Sequence, residues 1–302
     1  MTKYTEMTFI EFQDKFSNEI KCKEYFFELK WPEGHVCESC GSKEYKKIST
    51  RNKYYCCECA KQFSLTKDTI MEGTKLELRL WFCAIYLMAK DKRGISNLQL
   101  SKELKINYRS ALLMTRNIKN VMSQRDMEYM LEGIIDMDEC FIGRPSGKSG
   151  RGTNKAKVLV ALSSTKDNFP QFLKLKLCDN LQASTINSFV TTNIKSGSFI
   201  RTDEYSGYND LIKIGMDHYS EKYEKDGDFL ECIHTVVANL KSYILGTYHG
   251  LSQDNLQVFL DEFCYRFNRR FCTKSLFDRL ISLCTTSSRL RRKDICVFAH
   301  CT

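Results

Sequence analysis

Apolar positions recur at helical spacing through the first thirty residues: Phe9, Phe12 and Phe16, then Cys22, Tyr25, Phe26 and Leu29. The pattern predicts a helix that Trp31-Pro32-Glu33-Gly34 ends, because Pro and Gly both break helices. Residues 35–72 have no such period and are rich in turn residues and Cys. Leu80, Trp81, Ile85, Leu87 and Met88 predict a buried helix over residues 76–90. Ser96 is placed to cap a next helix carrying Leu98, Leu100 and Leu104. After Ile106-Asn107 another helix carries Ala111, Met114, Ile118, Val121 and Met122. Two short helices with a tight connection, the second bearing Tyr108, Arg109, Ser110 and Arg116, resemble a helix-turn-helix. Helical hairpins that never touch DNA share that pattern, so both readings stand at this point.

From about residue 131 the period changes. Gly133 to Ile142, Lys157 to Ser163 and Phe172 to Cys178 alternate or run apolar between turn residues, as strands do. A helical stretch from Gln182 to Asn193 follows, then a strand from Ser198 to Thr202 that ends at Asp203. Late helices close the chain. In one, Leu256, Phe259, Leu260, Phe263 and Phe267 form an amphipathic stripe. Strands followed by helices predict a mixed α/β domain, and no internal repeat is evident.

Composition narrows the class. The chain has 302 residues, 42% hydrophobic and 12% aromatic, which excludes a disordered chain. Its longest apolar run, Trp81 to Ala89, falls well short of the roughly 20 residues of a membrane-spanning helix. The first 25 residues mix charged and apolar positions and show no secretory signal, so an intracellular protein is expected. With no export signal, 15 cysteines, an odd number, point to reduced thiols and metal rather than to a disulfide framework. The net charge of +9 permits a nucleic-acid partner.

Four of the cysteines have metal-ligand spacing. Cys37-Glu38-Ser39-Cys40 and Cys56-Cys57-Glu58-Cys59 form two C-x-x-C knuckles with 15 residues between them. Zinc takes four thiolates in a tetrahedron, and each knuckle supplies two from one tight turn, the first eased by Gly41. Such a closed site is structural. Cys57 fits the spacing less well than Cys56, and His35 is a weaker candidate ligand that reads rather as a surface histidine. Lys46, Lys47, Arg51, Lys53, Tyr54, Tyr55 and Lys61 around the knuckles suit a nucleic acid, or else form a solvated face.

The acids of the second half carry a different chemistry. Asp136 and Asp138 are two apart on a predicted strand and share a face. Carboxylates among Ile134, Ile135, Met137 and Phe141 are costly to bury unless paired or bound to metal. Asp203 follows another apolar strand and precedes the turn Tyr205-Ser206-Gly207-Tyr208. Acids converging at strand ends suit a pair of Mg²⁺ ions in phosphoryl transfer.

Together these motifs are specific. Gln62-Phe63-Ser64 and Leu80-Trp81-Phe82 follow the knuckles. Then come Ile135-Asp136-Met137-Asp138-Glu139-Cys140-Phe141-Ile142-Gly143, Gly150-Arg151-Gly152 and Thr202-Asp203-Glu204-Tyr205-Ser206-Gly207-Tyr208. His234-Thr235, Asn239-Leu240-Lys241, Gly246-Thr247-Tyr248-His249 and the run Leu260 to Arg270 complete the set. From about Phe9 to Arg270 the chain resembles an insertion-sequence DDE-type transposase of the family related to the eukaryotic Merlin transposons. The resemblance implies a ribonuclease-H-like catalytic domain with three positions for Mg²⁺ or Mn²⁺. They map to Asp138, to Asp203 and, five residues after His234, to Asn239, where many relatives have Glu. An amide oxygen ligates a hard cation but adds no charge. Asp136, Glu139 and Glu204 are candidates to compensate.

The expected organisation is an N-terminal helix and zinc ribbon over residues 1–72, a helical linker with the helix-turn-helix over 73–130, a catalytic domain over 131–288 and a basic tail over 289–302. DNA is the expected partner, as terminal inverted repeats and target, with self-association as a dimer or higher. The expected DNA contacts are Arg109, Arg116, the flexible basic segment with Arg144, Lys148, Arg151 and Lys155, then Lys241, Arg269 and Arg270. His234 is expected to contact DNA or orient its helix. The competing functions are a transposase-derived DNA-binding protein without chemistry, and a zinc-ribbon transcription factor. A bacterial host implies the nucleoid and a eukaryotic one the nucleus.

Overall fold

A computed structural model describes residues 6–48, 51, 53–143, 153–222, 229–248, 251–272 and 275–290. The expected basic residues Arg144, Lys148 and Arg151, and the tail from residue 291, lie outside the described residues. The chain forms two units, Met1–Val121 with the segment from Cys272, and Met122–Phe271.

In the first unit the single N-terminal helix expected from periodicity is two helices, α1 (Phe9–Lys15) and α2 (Glu19–Lys30). Asn18 separates them: its Oδ1 accepts the Ile20 and Lys21 amides at 3.0 Å each, an N-cap that competes with helix continuation. Trp31 caps the C-terminus of α2, and Gly34 adopts φ +83°. Helix α3 (Leu78–Lys90) buries Trp81, Phe82, Ile85 and Met88. Helix α4 (Asn97–Glu103) is capped by Ser96 as expected, and α5 spans Tyr108–Met127. Lys105, in the left-handed region at φ +51°, turns the chain between them, and Thr115 Oγ1 donates to Asn97 Oδ1 at 2.6 Å to tie the pair. Helix α9 (Leu276–Thr286), which the sequence reading placed in the catalytic domain, buries its face in this first unit. Phe277 meets Phe12 at 5.6 Å between ring centroids.

Strands β1 (Tyr45–Ile48), β2 (Lys53–Cys56) and β3 (Gln62–Phe63) make a small antiparallel sheet. Its core is aromatic: the His35 ring stacks on Phe63 at 3.6 Å, with Trp31 and Tyr45 around it. His35 is therefore buried, not a surface histidine.

The second unit is built on a five-stranded mixed sheet in the order β6-β5-β4-β7-β8. The strands are β4 (Ile134–Ile142), β5 (Ala156–Ser164), β6 (Pro170–Cys178), β7 (Phe199–Thr202) and β8 (Asp217–Ser220). The first three form an antiparallel meander; β7 and β8 join parallel to β4. Strand β5 is buried on both faces. Val158, Val160 and Leu162 pack toward α7 (Glu231–Thr247) and α8 (Gln253–Phe267). Leu159 and Ala161 pack toward α6 (Ala183–Asn193). An edge strand exposes unpaired backbone groups. Here side-chain amides close the β6 edge. Gln257 bonds Leu177 N–H and Leu175 C=O, and Asn268 accepts from Leu173 N–H at 2.7 Å and donates to Leu173 C=O at 3.0 Å.

Candidate active site and zinc knuckles

The two cysteine knuckles repeat one backbone design. Cys37 N–H donates to Ser42 C=O and Gly41 N–H to Cys37 C=O; Cys56 N–H donates to Lys61 C=O and Ala60 N–H to Cys56 C=O. The residue after each second cysteine is left-handed, Gly41 at φ +73° and Ala60 at φ +56°. The Sγ atoms of Cys37, Cys40, Cys56 and Cys59 lie within 4.8 Å of one another, with Cys37–Cys59 and Cys40–Cys56 at 3.5 Å. Tetrahedral zinc–thiolate geometry asks for about 3.8 Å between sulfurs. The Ser39 amide, then that of Cys40, pulls the Cys37 thiol down to about 6, and the Cys59 amide leads the lowering at Cys56. Against the lowering by the Ser42 amide, the contact with the Cys56 sulfur pushes the Cys40 thiol up to about 12, so it is the sulfur spacing that fits zinc.

In the second unit the acids are placed by strand register. Strand β4 pairs with β7 through Ile134↔Phe199, Ile135↔Ile200 and Asp136↔Arg201, an offset of 201 − 136 = 65. Asp138 and Asp203 have the same offset, 203 − 138 = 65. Two residues beyond the last paired rung, they stand at the ends of two neighbouring parallel strands, and both act electrostatically on the buried Tyr208 hydroxyl. Both are partly exposed. Asp138 Oδ1 accepts its neighbour's amide, Glu139 N–H, at 2.7 Å, and Asp203 Oδ1 accepts Tyr205 N–H at 3.1 Å.

Asp136, on the same face as Asp138, has another role. It is buried, and Arg201 Nε meets its Oδ1 at 2.6 Å while Ser164 Oγ donates to Oδ2. An ion pair, not a metal, satisfies it. Glu139 alternates to the α6 side, where the buried Tyr208 hydroxyl donates to its Oε2 at 3.1 Å. Cys140 is a core residue, its thiol pushed up to about 12 by burial.

Helix α7 packs Ile233, Val236, Val237, Leu240 and Ile244 onto the sheet. On its flank His234 Nε2 lies 3.5 Å from Asp138 Oδ2. That hydrogen bond raises the imidazole pKa against the lowering effect of burial. Lys241 is seven residues, two turns, further along the same face, and its charge acts on both His234 and Cys140. Asn239 is exposed, about 140° around the helix from His234 at 100° per residue. The structure thus brings His234, not Asn239, to Asp138. The usable signal was the i, i+7 relation of His234 to Lys241.

A hard divalent cation wants carboxylate oxygens in an accessible place. Asp138 and Asp203 are donors of that kind, and His234 holds the Asp138 carboxylate by a hydrogen bond; among the described residues the four cysteines are the one group whose ligand atoms already lie within metal-binding reach of one another.

The expected DNA contacts divide. Arg109 is exposed at the start of α5, whereas burial of Arg116 lowers its pKa. Lys155 is partly buried beside Gly143, and Lys241 is exposed. Arg269 and Arg270 are corrections. Arg269 pairs with Asp126 at 2.6 Å and lies 3.7 Å over the Tyr265 ring. Arg270 donates to the carbonyls of Pro170, Gln171 and Phe267. Arg270 holds the end of α8 to the start of β6, and Arg269 holds it to the end of α5.

A chain with a zinc ribbon and a 3-2-1-4-5 mixed sheet carrying acids at adjacent strand ends has the ribonuclease-H-like architecture of polynucleotidyl transferases. Residues 130–268 match the ISXO2-like transposase domain, and residues 17–62 match the transposase zinc-ribbon domain. The chain thus carries the two domains of this transposase family, the zinc ribbon and the ISXO2-like transposase domain. It is 23% identical over 292 residues to an uncharacterized protein in transposable element ISH50 of Halobacterium salinarum, covering 83% of this chain and 91% of that one. A solved structure, the simian T-cell lymphotropic virus intasome in complex with PP2A regulatory subunit B56 gamma, aligns at 12% identity and TM-score 0.31. The alignment covers 54% of this chain and 58% of the other, a likeness too slight to carry an argument. Among the described residues no helix is long and apolar enough to cross a membrane.

Proposed function

We propose that this transposase cuts the ends of a mobile element and joins them to target DNA, using Mg²⁺ or Mn²⁺ held by Asp138 and Asp203, with His234 orienting Asp138. The observation that carries this reading is the register that sets Asp138 and Asp203 at neighbouring strand ends, with His234 against Asp138. A bound ion of this kind lowers the pKa of the attacking oxygen and stabilises charge on the leaving one. The protein's part is positioning. Backbone amides of Glu139 and Tyr205 aim the two carboxylates, and packing of α7 on the sheet fixes His234. Lys241, two turns along α7 from His234, supplies positive charge for the scissile phosphate. On α7 the residue against Asp138 is His234, whereas Asn239 of the expected triad is exposed.

Zinc in the ribbon serves folding, since four cysteine ligands leave no open position. The ribbon and the α4–α5 pair, with Arg109 exposed, are assigned to binding the element's terminal inverted repeats. Joining two ends to one target calls for at least two copies of the chain. The test is cleavage of a duplex oligonucleotide carrying the element's end in Mn²⁺. Cleavage by wild type that disappears in His234→Ala supports the assignment; equal cleavage by both removes His234 from the site.

A further inference from the structure

The β4–β7 ladder stops at Asp136↔Arg201, two residues short of Asp138 and Asp203. Beyond that rung another set of bonds connects the two acids. Asp203 Oδ1 accepts Tyr205 N–H at 3.1 Å, and Tyr205 C=O accepts Tyr208 N–H at 3.0 Å. The Tyr208 hydroxyl donates to Glu139 Oε2 at 3.1 Å, and Glu139 N–H donates to Asp138 Oδ1 at 2.7 Å. The route leaves one carboxylate, folds back through a 3-10 turn over Ser206–Tyr208, crosses to β4 and ends on the other carboxylate.

The turn is packed for this purpose. A Cβ on Gly207 would come within 2.5 Å of the Tyr205 ring and 2.9 Å of the Ile186 side chain, so a larger residue there would displace the Tyr205 ring. The Tyr205 hydroxyl donates to Leu181 C=O at 3.1 Å, fixing the turn against the start of α6. Tyr208 is fully buried, and a buried tyrosine hydroxyl needs a partner. Of the polar groups it could have met, it takes the side chain of the residue adjoining Asp138.

We propose that Tyr208 is a positioning residue whose hydrogen bond to Glu139 sets the separation of Asp138 and Asp203, and thereby the affinity of the site for its divalent cation. The inference rests on the assignment of Asp138 and Asp203 as cation ligands. Glu139 then serves as the anchor of the brace and not as a ligand, because strand alternation turns it to the α6 side of the sheet.

The test is titration of the full-length, zinc-loaded chain with Mn²⁺, following the loss of the free-ion electron paramagnetic resonance signal. Tyr208→Phe keeps the ring and removes the hydroxyl; about tenfold weaker Mn²⁺ binding is expected, as for other residues that orient metal ligands. Cleavage by this variant is expected to recover at high Mn²⁺, a rescue that damage to the fold would not give. Glu139→Gln, whose amide oxygen still accepts from Tyr208, is expected to bind within about threefold of wild type. Unchanged Mn²⁺ affinity in Tyr208→Phe overturns the proposal, as does a loss in Glu139→Gln as large as that in Asp138→Asn. Asp138→Asn separates the two levels. If it abolishes binding while Tyr208→Phe does not, only the brace fails; if it too binds like wild type, the cation site itself fails.

Discussion

His234 Nε2 lies 3.5 Å from Asp138 Oδ2, and Asn239, five residues along the same helix, is turned away from that contact. The pair decides which side chain completes the site. His234→Ala is expected to lower Mn²⁺-dependent strand cleavage by about 100-fold, the upper range for losing one metal-orienting group. Asn239→Ala is expected to stay within about threefold of wild type. The opposite ranking would return Asn239 to the site.

The zinc knuckles should be indispensable to the ribbon. Four thiols within 4.8 Å of one another repel as thiolates unless a cation joins them. Purified protein is expected to carry one zinc per chain by elemental analysis. Cys40→Ser or strong chelation should unfold the ribbon, since about 10–16 kcal/mol of apparent binding energy goes with such ions. In Cys40→Ser, zinc content and the dispersion of ribbon signals in NMR should fall together.

Ala60 occupies the left-handed position that Gly41 occupies in the first knuckle. A side chain there costs about 1–2 kcal/mol, and glycine gives back about 0.5–1 kcal/mol through the unfolded chain. Ala60→Gly is therefore expected to stabilise the ribbon by about 0.5–1 kcal/mol, and Gly41→Ala to destabilise it by a similar amount. Competition for zinc against a chromogenic chelator reads both; a weaker site in Ala60→Gly would contradict the assignment.

Asn268 closes the β6 edge with both atoms of its amide and also reaches Asp126 Oδ2 at 3.0 Å. Asn268→Ala leaves several buried groups unpaired, at about 1–3 kcal/mol each. A loss of about 2–4 kcal/mol in denaturant unfolding is expected, with concentration-dependent aggregation through the opened edge. Gln257 bonds β6 from a less buried place, and Gln257→Ala is expected to cost less.

Much of this was legible in the sequence because local and tertiary forces agree there. Ser96 caps α4, the 256–267 stripe packs α8, and the apolar run of β5 is buried on both faces. The knuckle spacing located the sulfur cluster outright. Strand β8 was missed because Asp217-His218-Tyr219-Ser220 is an exposed edge strand without an apolar face. The break at Asn18 was hidden because a cap inside a continuous apolar pattern leaves the period unchanged. Asp136 and Asp138 look alike in sequence, and only the arrival of Arg201 from β7 makes one structural. Arg269 and Arg270 looked like a DNA-facing pair because charge alone does not reveal that Asp126 and the Pro170 and Gln171 carbonyls take them up. His234 needed the helix phase of α7 relative to β4, which depends on long-range packing.

The most direct test of the central claim is strand cleavage of an element-end duplex in Mn²⁺ by wild type, Asp138→Ala and Asp203→Ala, with zinc content and melting temperature checked in each. Carboxylates at neighbouring strand ends that share one cation site predict that either substitution abolishes cleavage while the protein stays folded and zinc-loaded. Cleavage by either variant at the wild-type rate would contradict the account.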